Sequence, residues 1–195
     1  MDEAKKFFQK LFKKIFNLAE SWQVLHQEIS DQFYSLTQYF SSFETISNEE
    51  NFGILKNSKS TISKIQANYI EKLDKKILKM KQKVKEYEEI SKKLNDLERE
   101  GNRFYEKNHE NLIIWFNSNP NDAIFLSSLI EGLMEISNSY QNEYKEKTEI
   151  LENLDIINLE NQQQLNTLYI KFINYKFIDV DKIMSIIQTS MNIDV

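Results

Sequence analysis

The chain has 195 residues, with 25 Lys plus Arg, 30 Asp plus Glu, two His and no Cys. Without Cys there are no disulfides, thiolate metal sites or cysteine nucleophiles, and His26 and His109 stand far apart with no ligand at metal spacing. Three Gly and one Pro are too few for the turns of a β-rich fold, and no run of 18 apolar residues offers a membrane span, so the composition predicts an all-α protein.

Charge is unevenly placed. Residues 1–53 carry 5 basic and 8 acidic side chains, residues 54–108 carry 15 and 9, and residues 109–195 carry 5 and 13. This balance leaves room for one basic surface but predicts no nucleic-acid partner.

In residues 1–20, Phe7, Phe8, Leu11, Phe12, Ile15, Phe16 and Leu18 fall within about half the circumference of a helix, with Lys6, Lys10, Lys13 and Lys14 on the other side. Rings opposite ammonium groups suit a helix lying at an anionic lipid surface. Docking on the bundle or on a protein partner is the alternative. A mitochondrial presequence is a third reading, weakened by Asp2, Glu3 and the lack of Arg.

Trp22, Leu25, Ile29, Phe33, Leu36, Phe40 and Phe43 then step by three or four, the helix period, until the stretch from Ser47 to Gly53 breaks the pattern. A second stripe runs through Ile62, Ile65, Tyr69, Leu73, Ile77, Met80, Val84, Tyr87, Leu94 and Leu97 to Gly101 and Phe104, continuing toward Phe116. On this helix Lys72, Lys75, Lys76, Lys79 and Lys83 share roughly 100° of arc, while Glu71, Asp74 and Glu88 fall elsewhere on the wheel. Such a stripe attracts anionic membrane at about 1 kcal/mol per lysine; the alternative is an ordinary solvated face. Gly101 on the apolar stripe is either a point of close helix approach or a weak spot.

The only proline, in Asn119-Pro120-Asn121-Asp122, marks a reversal and a new helix start. Leu129, Leu133, Ile136, Tyr140, Tyr144, Leu151, Leu154, Leu165, Leu168 and Phe172 form the third stripe, interrupted by Lys147, Asn158 and Asn161. Residues 177–195 add a short apolar amphipathic stretch with Ile183, Ile186 and Ile187.

The pattern reads as an elongated antiparallel three-helix coiled-coil bundle over residues 21–176, preceded by the amphipathic helix 1–20 and followed by the apolar helix 177–195. A middle helix of about 60 residues outruns a first helix of about 25, so a homodimer is expected to cover the remainder. Its interface would use Leu129, Leu133, Ile136, Tyr140, Ile183, Ile186 and Ile187. The paired acids Glu49-Glu50 and Glu88-Glu89 lie in polar runs, and no glycine loop could cradle phosphate, so no enzyme, cofactor or metal is expected.

This layout resembles a BAR domain, most nearly the Chibby-interacting family of ciliary BAR proteins. The resemblance is carried by Phe33, Phe40 and Phe43, then Gln66-x-x-Tyr69 and Leu73, the Asn119-Pro120-Asn121-Asp122 turn, Leu168, Phe172 and Ile173, and a tail ending Asn192-Ile193-Asp194. It implies a crescent-shaped dimer that binds curved anionic membrane through Lys72 to Lys83, with Phe7, Phe8, Leu11, Phe12, Ile15, Lys10, Lys13 and Lys14 as a membrane wedge. It also implies a Chibby-like protein partner and a peripheral-membrane place at the ciliary base or, alternatively, the mitochondrial inner membrane. Glu149, Glu152, Asp155 and Glu160 stand where that family carries third-helix cations, so the second expectation is a BAR-shaped scaffold subunit with little lipid binding.

Overall fold

Helix α1 covers Asp2–Ser47 without a break. This computed structural model describes residues 2–155 and 162–191, and every regular element among them is helical. A 3-10 segment, Glu49–Asn57, leads to α2 at Lys59–Ser118; α3 covers Pro120–Glu152, α4 Gln162–Ile173 and α5 Val180–Met191. Asn158, Glu160, Asn161 and the tail Asn192-Ile193-Asp194 lie outside the described residues.

The helix ends follow from local chemistry. Gly53 sits at φ +51°, a left-handed backbone that an L side chain resists, and it kinks the 3-10 segment. At the start of α3 the Asn119 carbonyl accepts the N–H groups of Asp122 and Ala123, and Pro120 occupies the first helical position, where its missing N–H has no intrahelical use. Asp179 caps α5, its Oδ1 accepting from the Lys182 N–H at 3.0 Å.

The chain forms two compact units. The first comprises Met1–Val24, Tyr87–Tyr144 and Lys176–Val195. Its core is built from Phe8, Phe12, Ile15 and Trp22 of α1, Tyr87, Leu94 and Leu97 of α2, Leu129, Leu133, Ile136 and Tyr140 of α3, and Ile183 and Ile187 of α5. Here α1 and α2 are antiparallel: Phe7 stacks on Phe104 at 4.1 Å, Lys14 pairs with Glu100 at 3.6 Å, and Trp22 meets Tyr87 at 4.2 Å. Gly101 is a point of close approach, since a Cβ there would stand 2.5 Å from Leu133 Cδ1 and 3.5 Å from Phe8. Gly132 does the same for α5, where a Cβ would meet Ile186 Cγ2 at 2.7 Å.

The second unit comprises Leu25–Glu86 and Lys145–Tyr175. Ile29, Phe33, Leu36 and Phe40 of α1 pack with Ile62, Leu73, Ile77 and Met80 of α2, Ile150 and Leu151 of α3, and Leu165 and Phe172 of α4.

No second copy is needed to cover α2 as far as Phe104. With 46 residues, α1 is nearly twice the length that the expectation of a dimer assumed, and its first turns cover α2 as far as Phe104. Leu129, Leu133, Ile136, Tyr140, Ile183 and Ile187 are all buried within this single chain, and Ile186 is half-buried.

Candidate interaction face

The lysine stripe belongs to the second unit. Burial of Leu73, Ile77 and Met80 turns the opposite side of α2 outward, leaving Lys72, Lys75 and Lys79 exposed and Lys76 and Lys83 half-exposed. Its charges are unequally available. Lys75 is paired with Glu71 at 2.5 Å, one turn earlier on the same helix, and Lys83 with Glu28 of α1. The hydrogen bond and charge of Lys75 hold the Glu71 carboxyl below its ordinary range, with a smaller contribution from Lys72. The hydrogen bond to Glu28 raises Lys83 above the ordinary ammonium value, and burial opposes it.

Among the described residues Lys72, Lys76 and Lys79 form no salt bridge, although the Asp31 carboxylate shares a groove with Lys76 and Lys79. Lys76 donates to Ser35 Oγ at 2.9 Å and stands 5.6 Å over the ring of Tyr39, while Lys72 stands 6.0 Å over Tyr69. The two rings stack on each other at 4.9 Å with 26° between their planes. Beside them Asp31, Gln32, Ser35, Lys76 and Lys79 line a groove of about 340 Å³. The arrangement offers cations, half-buried rings and hydrogen-bonding groups on one surface.

Periodicity on α2 shows the lysines but not the acids that answer them. Glu28 and Asp31 come from α1, and only the antiparallel register places them beside Lys83 and Lys79. The Glu71–Lys75 pair was readable, since Glu four residues before Lys is the favoured helical order. No spacing rule on one helix could have found the Tyr39–Tyr69 stack.

The other expected site residues lie elsewhere. Phe8, Leu11, Phe12 and Ile15 are 0–2% exposed in the first unit's own core, and Phe7 is half-buried against Phe104. Of the amphipathic face proposed as a lipid wedge, only Lys10, Lys13 and Lys14 are exposed.

A cluster that sequence reasoning passed over lies at the end of α4. Lys147 is fully buried, donating to the carbonyls of Phe172 and, at 2.6 Å, Asn174, with its ammonium 5.2 Å from the Phe172 ring and 5.5 Å from Tyr175. His26 stacks on Tyr175 at 4.5 Å, and its Nε2 lies 3.2 Å from the Ile173 carbonyl. Both side chains thus serve the carbonyls that a helix C-terminus leaves open. In the first unit, Glu143 accepts the N–H groups of Lys176 at 2.9 Å and Phe177 at 2.7 Å. Lys147, a polar break in the third stripe, thus holds the end of α4, and Glu143 holds the backbone of residues 176 and 177 ahead of α5. His109 is exposed beside Tyr105, and no group of three or more His, Cys, Asp or Glu among the described residues could hold a metal.

The family model for C1orf109-like ribosome biogenesis proteins matches residues 2–169. The chain belongs to that family. No curated protein and no solved structure matches it.

Membership overturns the resemblance to ciliary BAR proteins, and with it the membrane-curvature function, the lipid and Chibby-like partners, and the ciliary or mitochondrial location. The physical reason for the misreading is plain. Long amphipathic helices joined at a proline turn arise wherever helices pack antiparallel, whatever the family. No helix among the described residues is long and apolar enough to cross a membrane.

Proposed function

We propose that this protein is a non-enzymatic helical assembly factor of ribosome biogenesis, engaging pre-ribosomal protein or ribonucleoprotein in the nucleus, nucleolus or cytoplasm. The observation that carries this reading is the family match over residues 2–169. The character of its surface supports a binding role. The polar groups that resemble catalytic parts, His26, Lys147 and Glu143, are taken up in holding backbone, whereas the exposed chemistry is the Lys72–Lys79 face with its tyrosines. The long helices act as the frame that holds those side chains in register.

The test is sedimentation of cell extract on a sucrose gradient, followed by measurement of ribosomal subunit levels after depletion of the protein. It should travel with pre-ribosomal particles, and its loss should lower the amount of at least one subunit. A protein found only at the top of the gradient, with both subunits unchanged on depletion, overturns the reading.

A further inference from the structure

We infer that the Tyr39–Tyr69, Lys72–Lys76–Lys79 face of the second unit binds single-stranded RNA; the choice of partner rests on the ribosome-biogenesis reading above. Between Lys56 and Lys85 the chain carries ten lysines against two acids, Glu71 and Asp74, the most basic stretch it has. Asp74 lies off the stripe, and Glu71 is engaged by Lys75. Of the five lysines on the stripe Lys83 is likewise engaged, by Glu28. Those at positions 72, 76 and 79, about one per helical turn, are left with no salt bridge among the described residues. A flexible polyanion with closely spaced phosphates fits such a row.

The rings distinguish this face from a plain cationic one. Tyr39 and Tyr69 are half-buried and already stacked, so their planes are fixed before a ligand arrives. Lys72 and Lys76 lie over them at 6.0 and 5.6 Å, contacts that are weak at an exposed site. A base can displace the lysine chain from a ring while the ammonium moves to a phosphate. Aromatic platforms flanked by cations are how proteins hold single strands without regard to sequence.

The groove beside the rings adds a further argument. Gln32 lines it, and Gln32 Oε1 is buried with no hydrogen-bond partner among the described residues. Buried acceptors are costly to leave unpaired. Turning that amide outward into the groove lets it accept from a ribose 2′-hydroxyl, the group by which a protein tells RNA from DNA. Ser35 and the ammonium groups of Lys76 and Lys79 line the same groove and can serve an adjoining phosphate. The Asp31 carboxylate also lines the groove and accepts from Gln27 Nε2 at 2.8 Å. An acidic peptide would use the lysines but has no base to lay on the rings.

The test is fluorescence anisotropy of a labelled 20-nucleotide oligouridylate with the full-length chain, from low to physiological salt. Saturable binding is expected, with log affinity falling against log salt at a slope of about −2 for three phosphate contacts. K72E/K76E/K79E should weaken binding at least tenfold and flatten that slope. Tyr69→Leu should weaken it several-fold with the slope unchanged. K6E/K10E/K13E, on exposed α1 lysines of the first unit, should leave it as it was; all these variants keep the core side chains, and circular dichroism checks their folding. Absence of saturable binding, or equal loss in the α1 variant, overturns the inference. Equal binding of oligodeoxythymidylate overturns the choice of RNA, and equally effective competition by polyglutamate assigns the face to an acidic protein instead. The gradient experiment separates the two levels. If K72E/K76E/K79E loses oligouridylate yet still sediments with pre-ribosomal particles, the assembly role stands and the face is confirmed as an RNA contact dispensable for recruitment. If the wild-type chain binds no oligouridylate but sediments with particles, the inference alone falls.

Discussion

Tyr140 shows how one side chain's surroundings set a measurable response. It is 2% exposed, packed edge-on against Trp22 at 5.0 Å, and burial pushes its phenol well above the ordinary value of 10.0 because the phenolate cannot be solvated there. The folded state therefore holds this proton more tightly than the unfolded one. Its contribution to stability is complete below pH 10 and is lost as pH rises above it, by about 1.4 kcal/mol per pH unit up to the folded value. Urea unfolding between pH 9 and 11.5 should show a steep alkaline decline, and Tyr140→Phe should make it shallower. Parallel pH profiles for the two proteins would contradict the burial argument. The sequence already put Tyr140 on an apolar stripe, but which surface covers it required the fold: Trp22 of the same chain packs against it. Gly101 was open between close approach and weakness, and Leu133 decides it.

At the scale of elements, two breaks were legible because they depend on turn residues, but the separate helix 1–20 is continuous with α1, and the third stripe, read as one helix ending near Phe172, divides into α3 and α4. The break after Ser47 and the start at Pro120 needed nothing beyond Gly53, Asn119 and the proline itself. What periodicity could not show is what each stripe faces. The apolar face of residues 1–20 looks the same whether lipid or Phe104 covers it, since an amphipathic moment records contrast and not the identity of the apolar side. The same limit hid the role of Lys147, which read as a flaw in the third stripe. Fully buried, it holds α4 by two carbonyls, Phe172 and Asn174. Lys147→Met preserves chain length and apolar packing but removes both donors, leaving carbonyls at the end of α4 without that partner. The expected loss is about 2 kcal/mol, offset in part by no longer burying a charge. Urea unfolding measures it, and hydrogen exchange should show the amides of Gln162–Ile173 losing protection first. A variant as stable as the wild type would mean that the ammonium is tolerated rather than used.

At the scale of the whole molecule, neither unit is a continuous piece of chain. The first is assembled from three segments and the second from two, and α1, α2 and α3 each run from one unit into the other without interruption. A helix propagates cheaply once begun but is costly to nucleate, so a helix shared by two units ties their folding together. Both tryptophans, Trp22 and Trp115, belong to the first unit, whereas far-ultraviolet circular dichroism reports helix in both. Urea transitions followed by the two signals should therefore coincide in the wild type. Glu86 is exposed, lies inside α2, and is the last residue of the second unit before Tyr87 begins the next segment of the first. Glu86→Pro removes a backbone donor and puts a ring against the preceding turn, a cost of about 3 kcal/mol placed at that passage. In this variant the dichroism transition should spread into two phases while tryptophan fluorescence keeps one. Separate transitions in the wild type would mean that the shared helices do not couple the units. Two phases in Glu86→Pro, with none in a Glu86→Ala control, would show that helix continuity, and not the lost carboxylate, carries the cooperativity.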